Sequence, residues 1–520
     1  MKFLRPGFWQ KVIAGLIFVI ELALFIWIIW AFAASFLEAS FAGWFLLAVV
    51  IYDLLLMAFI LNTNTADAYK MSWLFIVGGL PFFGGIFYFV FANKKVTKRQ
   101  LKAMLKYSSA LHSDPTHKNV EEKLIKEFPS GASLSNYLEK MSGSGIYSNS
   151  SVEYFPLGDV AFPVMINELR KAKHYIFLEY FILEGGKFWD SILEVLQEKV
   201  KEGVEVKLMY DDLGSFGTLP VRYDAKLRKM GIEAHIFNRF KPFINVKMNN
   251  RDHRKIMVID GHTAFTGGIN LADEYVNLKQ RFGHWKDNCI MVKGQAVYGF
   301  SMLFLCNWYA TFDSNALLDY SKYEPGRFID EDGGFPKNDG FVQPYGDLPF
   351  NYESVGERLY ISIINRSKRY VYITTPYLII DSELENALKH AALEGTDVRL
   401  LTPHIPDKKA VFQLTRSYYG HLLKKGVRIY EYTPGFVHEK MFVSDDEVAT
   451  VGTINLDYRS LYLHFENGTL IVGNSSILKM KQDLLDSFSV SHEVNYEEWL
   501  SWKKKKNLFW CFLRLLAPFL

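Results

Sequence analysis

Residues 253–270 read HRKIMVIDGHTAFTGGIN, and residues 438–455 read HEKMFVSDDEVATVGTIN. Each holds a histidine, a lysine two positions on, an aspartate five further, and a closing asparagine. The four positions recur at one offset, since 438 − 253, 440 − 255, 445 − 260 and 455 − 270 all equal 185. A single HxK pair is ordinary surface chemistry, whereas two with matching flanks mark a duplication.

The flanks carry the same message outward. KAKHYIFLEYFIL (171–183) reads as a strand, FWDSILEVLQEKVKEG (188–203) as a helix, and VEVKLMYDD (204–212) and IEAHIFN (232–238) as strands. RSKRYVYITTPYLI (366–379), LENALKHAALEG (384–395), TDVRLLTPH (396–404) and LLKKGVRIYEYT (422–433) repeat that order. Strands alternating with helical segments imply α/β units. The expected fold is therefore two homologous α/β/α lobes, spanning about 151–330 and 331–502.

Composition limits the function. A net charge of +3 over 520 residues gives no sign of a nucleic-acid binder. Cys289, Cys306 and Cys511 form no CxxC pair, which argues against a zinc site and a disulfide framework. Residues 1–93 are of different material: the apolar runs at about 12–36, 41–61 and 73–92 are each long enough to cross a bilayer. Pro81, among Gly78, Gly79, Gly84 and Gly85, marks the third run as the one to break. Lys94, Lys95, Lys98, Arg99, Lys102 and Lys106 follow it, at the head of a basic linker (94–150), and place the lobes in the cytoplasm. The tail 503–520 sets lysines beside about thirteen apolar residues, too few to span but suited to an anionic lipid surface. A multi-pass protein of the cell membrane is expected, with self-association left open.

The motif spacing has a chemical reading. Side chains alternate along a strand, so His253 and Lys255 share a face, as do His438 and Lys440. Two-residue turns at Gly261–His262 and Asp446–Glu447 would place His253 opposite Asn270 and His438 opposite Asn455. Lysines and asparagines suit a phosphate, and imidazole serves as nucleophile or as acid and base. Two such hairpins face to face would put two histidines on one phosphorus, with no metal and no cofactor needed.

Both stretches resemble the phospholipase D superfamily signature, HxKxxxxD followed by Gly and Asn. The longer flanks NNRDHRKIMVIDGHTAFTGGINLADEY and TPGFVHEKMFVSDDEVATVGTINLDYRS, with HFENGTL, resemble bacterial cardiolipin synthases. The resemblance covers 150–500, implies phospholipase D-like lobes sharing one active site, and implies condensation of two phosphatidylglycerol molecules to cardiolipin and glycerol through a phosphohistidine. It carries His253, Lys255, Asp260, His438, Lys440 and Asp445 over as the catalytic set and Asn270 and Asn455 as phosphate contacts. Glu466 matches an acidic position that orients a histidine, with Asp287 the candidate counterpart in the first half. His253 is then the nucleophile and His438 the acid and base, and His464 stands where many relatives carry Asn. A phospholipase D-type hydrolase is the alternative activity.

Overall fold

Near-continuous apolar segments such as YIFLEY and YVYIT have no solvent face, and they become strands covered on both sides. The computed structural model of the chain describes residues 42–63, 67–92, 117–239, 250–312, 319–324, 334–349 and 353–519, with residues 23, 27, 65, 102 and 327 besides. In the first lobe the strands are β1 (Ser150–Phe155), β2 (Tyr175–Tyr180), β3 (Glu205–Asp211), β4 (Glu233–Phe237), β5 (Lys255–Ile259), β6 (Thr263–Gly267), β7 (His284–Lys286) and β8 (Cys289–Gly294). The second lobe adds β9 (Phe341–Asp347), β10 (Tyr370–Thr374), β11 (Asp397–Pro403), β12 (Arg428–Tyr432), β13 (Gly435–Val437), β14 (Met441–Ser444), β15 (Val448–Gly452), β16 (Glu466–Val472) and β17 (His492–Val494).

The first sheet runs β1-β8-β6-β5-β2-β3-β4 and the second β17-β12-β11-β10-β14-β15-β16-β9. Read in reverse, the first order matches the second strand for strand, with β17 as the one addition. β2, β3 and β4 pair in parallel, as do β10, β11 and β12, while the motif strands β5 and β14 join them antiparallel. The duplicated α/β architecture read from the sequence is therefore the observed one.

The lobes share a core. One cluster of buried residues joins Phe177, Val258, Phe300 and Phe304 of the first half to Val443, Val451, Ile471 and Met480 of the second. The helix Val297–Phe312 runs through it, and Phe304 stacks on Phe177 at 4.7 Å. Each such side chain contributes roughly 1.5–3 kcal/mol by leaving water, so the lobes hold their relative position firmly. β7 and β13, one from each half, add a small parallel ribbon between them.

The motif hairpins correct the expected register. Ile259 faces Thr263 and Ser444 faces Val448, so the turns are Asp260–His262 and Asp445–Glu447, three residues each. One extra residue slips every pair by one and abolishes the expected His253–Asn270 and His438–Asn455 oppositions. The reason is backbone conformation: Asp260 and Gly261 both have positive φ (51° and 69°), as do Asp445 and Asp446 (54° and 63°). His253 instead leaves the ladder, and its backbone N–H donates to Phe465 O of the other lobe.

Residues 117–142, expected within a linker, form helices His117–Glu127 and Pro129–Ser142 that dock on the second lobe. Gln343 Nε2 donates to Ser135 O and Ser144 O, tying them down. Of the three apolar runs, 12–36 lies outside the described residues except for positions 23 and 27. The second forms one helix, Ala42–Leu61, and the third is broken between Asp67–Gly79 and Phe83–Phe91. Phe82, in the break, has φ 66° and donates its N–H to the buried Asp53 carboxylate, which explains the charge in an apolar helix. Taken over its described residues, no helix is long and apolar enough to cross a membrane. The C-terminal helix Tyr496–Leu516 buries Trp499, Trp510 and Leu513 against the second lobe and leaves Leu508, Phe509 and Phe512 exposed. Phe519, just beyond it, packs edge-on against Trp73.

Candidate active site

β5 and β14 deliver the two histidine–lysine pairs to the seam between the lobes. There each histidine is held by a carboxylate of the opposite half. His253 Nδ1 lies 2.9 and 3.0 Å from the two oxygens of Glu466. His438 Nδ1 lies 2.7 Å from Asp287 Oδ2. A carboxylate accepts, so each ring donates from Nδ1 and keeps a lone pair on Nε2. The backbone repeats the exchange, with His253 N–H donating to Phe465 O and His438 N–H to Lys286 O. Since 466 − 287 and 465 − 286 both equal 179, the partners obey their own constant offset.

All of these groups are buried, and burial governs their charge. It pushes His253 well below the ordinary imidazole range, helped by the nearby lysines, and His438 down to about 4. Lys255 falls to about 7 and Lys440 to about 8 for the same reason. Burial also raises the Glu466 carboxyl. Each ammonium donates to the carbonyl of the histidine two residues before it. The two lysines thus bond to carbonyls and, among the described residues, form no ion pair, beside imidazoles that burial keeps neutral, an arrangement suited to an anion that brings its own charge.

The asparagines follow the hairpins rather than facing the histidines across them. Asn270 accepts from Ile182 N–H at 3.0 Å, and its Nδ2 has no partner; Asn455 leaves Oδ1 without one. Asp260 and Asp445 sit at the far ends of the hairpins. Asp260 lies five positions beyond Lys255, roughly 16 Å along the strand. Asp260 accepts the backbone N–H groups of Lys173, His174 and Tyr175 at 2.7–2.8 Å, and Asp445 those of Lys368, Arg369 and Tyr370 at 2.7–2.9 Å. Each carboxylate thus pins the entry to the strand beside the motif, β2 or β10.

With this geometry in place, the likenesses to known proteins can be weighed. A family described as "Cardiolipin synthase, PLD-like domain" matches residues 165–297 and 360–488. The chain belongs to the cardiolipin synthase family. An uncharacterised protein of Streptococcus mutans is 40% identical over 89% of this chain and 99% of its own length. "Cardiolipin synthase 2" of Bacillus cereus is 34% identical over 88% of each chain, and "Cardiolipin synthase" of Geobacillus kaustophilus 34% identical over 88% of this chain and 90% of that one. Among solved structures, a phosphatidylserine synthase from Haemophilus influenzae shares the fold, with a TM-score of 0.53 at 14% identity over 75% of this chain and all of that one. Family membership makes the chain a phosphatidyltransferase that forms cardiolipin.

Several neighbours of the motifs escape a reading of the motifs alone. Thr453 donates to Glu466 Oε2 at 2.5 Å. Its equivalent is Gly268, where a Cβ would come within 1.9 Å of Asp287 Oδ1. Phe181 lies against His253, while Trp285 and Tyr275 lie against His438. His464 stands 5.6 Å from His253, ring to ring. The signal in the sequence is the acid–Asn pair, Asp287-Asn288 and Glu466-Asn467. It lies seventeen residues past Asn270 but eleven past Asn455, so a six-residue insertion hides the repeat.

Proposed function

We propose that the cleft transfers a phosphatidyl group between two phosphatidylglycerol molecules by way of a covalent intermediate on His253. The observation that carries this is the reciprocal hold of each histidine by the other lobe's carboxylate. It makes one site from two halves, with two Nε2 lone pairs to serve one phosphorus. The anionic phosphodiester binds to Lys255 and Lys440 and supplies the counter-charge that lets His438 hold a proton. His253 Nε2 attacks phosphorus, the bond to the glycerol oxygen breaks, and His438 gives that oxygen its proton. Glycerol leaves. His438, now neutral, takes the proton of the second molecule's terminal hydroxyl as its oxygen attacks phosphorus. The phosphorus–nitrogen bond breaks, cardiolipin forms, and both histidines return to their starting states. Lys255 and Lys440 stabilise the charge that grows on the non-bridging oxygens, as fixed donors do where charge develops. Asp260 and Asp445 act by positioning the strands beside the hairpins.

In the same reading the enzyme works at the plasma membrane, anchored by its N-terminal apolar segments, with the lobes in the cytoplasm. Lys503–Lys506 and the exposed Leu508, Phe509 and Phe512 lay the C-terminal helix on anionic lipid at roughly 1 kcal/mol per lysine. Replacing those four lysines by Gln should raise the bulk lipid concentration needed for half-maximal rate. An unchanged requirement would remove the helix from lipid capture.

The deciding experiment is product analysis of the purified protein in phosphatidylglycerol bilayers. Cardiolipin and glycerol in equal amounts are expected. Phosphatidic acid with glycerol, and no cardiolipin, would mean that water is the acceptor and that the enzyme is a hydrolase.

A further inference from the structure

The half-site of His253 contains a second imidazole that the transfer leaves idle. His464 is nearly buried, and its Nδ1 has no hydrogen-bond partner although Glu466 Oε1 is 3.6 Å away. One ligand atom each from His253, His464 and Glu466 lie within 4.8 Å of one another, the only such trio of His, Cys, Asp or Glu among the described residues. In a tetrahedral zinc site with bonds of about 2.0–2.1 Å, adjacent ligand atoms are about 3.4 Å apart. The separations of Glu466 from His253 Nδ1 (2.9–3.0 Å) and from His464 Nδ1 (3.6 Å) bracket that edge. Two imidazoles and one carboxylate also match the donor set of zinc sites that keep a fourth position open.

We propose that His253, His464 and Glu466 bind a divalent cation of the zinc class, and that this cation switches the enzyme off. The chemistry of the ring makes the switch. When Nδ1 of His253 ligates the metal, its proton moves to Nε2, and the ring stays neutral. The lone pair that would attack phosphorus is then gone, and no other proton changes hands. Glu466 exchanges its bond from Nδ1 for a bond to the cation. The other half-site has no such device, because Trp285 occupies the position equivalent to His464 (464 − 285 = 179, the partner offset) and cannot ligate. The inhibition rests on His253 being the nucleophile; the binding does not.

The test uses the full chain in detergent micelles, stripped of metal with a chelator and titrated with Co²⁺. One Co²⁺ per chain with the intense visible absorption of a tetrahedral site is expected, displaced by Zn²⁺. His464→Asn and His464→Phe should lack that spectrum, while His438→Ala, altered in the other half-site, should keep it. Saturating Zn²⁺ should lower cardiolipin synthesis at least tenfold, reversibly on chelation, and each His464 variant should run in Zn²⁺ at its own metal-free rate. No tetrahedral spectrum, or one that survives in both His464 variants, would overturn the site. A tetrahedral spectrum without inhibition would uphold the site but overturn the switch, together with the nucleophilic role of His253.

Discussion

The half-sites of His253 and His438, to which paired tasks are proposed, have unlike surroundings. Glu466 meets His253 with both oxygens, accepts from Thr453 and has His464 beside it. Asp287, one methylene shorter, meets His438 with one oxygen and accepts its neighbour Asn288 N–H with the other. Gly268 leaves the space that Asp287 fills, and Thr453 fills the equivalent space beside Glu466. Duplication therefore preserved what the chemistry needs, a ring donating from Nδ1, while the packing that secures it was solved twice. The more heavily braced ring is the one assigned the covalent bond, and the less constrained one the proton transfers.

The largest effect should come from the histidines. His253→Ala and His438→Ala should each lower cardiolipin synthesis a thousandfold or more, since each removes an essential group. A phosphatidyl ester with a nitrophenol leaving group needs no acid, so it separates the two. His438→Ala should release nitrophenolate in a burst and carry labelled lipid phosphate, and His253→Ala should do neither. Label on the His253→Ala protein would reverse the assignment.

Next come the orienting carboxylates. Glu466→Gln and Asp287→Asn each permit the wrong tautomer of the partner ring, and kcat should fall about a hundredfold or more with little change in KM. If only one of them matters, the proposed symmetry of roles fails. The flanking pair then tests the packing difference. In Gly268→Ala the new Cβ meets Asp287 and must displace it, costing about 1–3 kcal/mol of stability and about tenfold in kcat. Thr453→Ala only removes a donor from Glu466, and a loss of a few-fold is expected. Equal losses would show that the two spaces do not differ as described.

The smallest effect is on binding. Burial holds Lys440 at about 8, so its ammonium is present below that pH and lost as pH rises through it. KM for phosphatidylglycerol should accordingly rise a further few-fold through pH 8, after the rise near pH 7 at which Lys255 loses its own ammonium. Lys440→Arg, whose guanidinium stays charged, should flatten the rise; an identical profile in the variant would assign the titration elsewhere.

The pairing of these two half-sites was only partly legible in the sequence. The 185-residue offset made the duplication and the recurring order of strands and helices readable, because these depend on local periodicity and on identical residue types. The hairpin register was not readable: whether a turn holds two residues or three depends on Asp260 and Asp445 adopting positive φ. Those residues do so while their carboxylates collect backbone amides from residues 173–175 and 368–370, which lie 85–87 and 75–77 positions away. A long-range bond of that kind leaves no trace in local spacing.

By itself, then, the sequence determined that the chain is a doubled α/β unit with a histidine and a lysine leading into each motif strand. It also determined the type of chemistry, since those residue types in duplicate suit little besides a phosphodiester. Only the tertiary structure decided which carboxylate holds which histidine. Each partner comes from the other lobe, across 213 and 151 residues of chain. The physical reason is that a hydrogen bond depends on where the packed sheets bring two atoms, and the shared core of the two lobes sets that position.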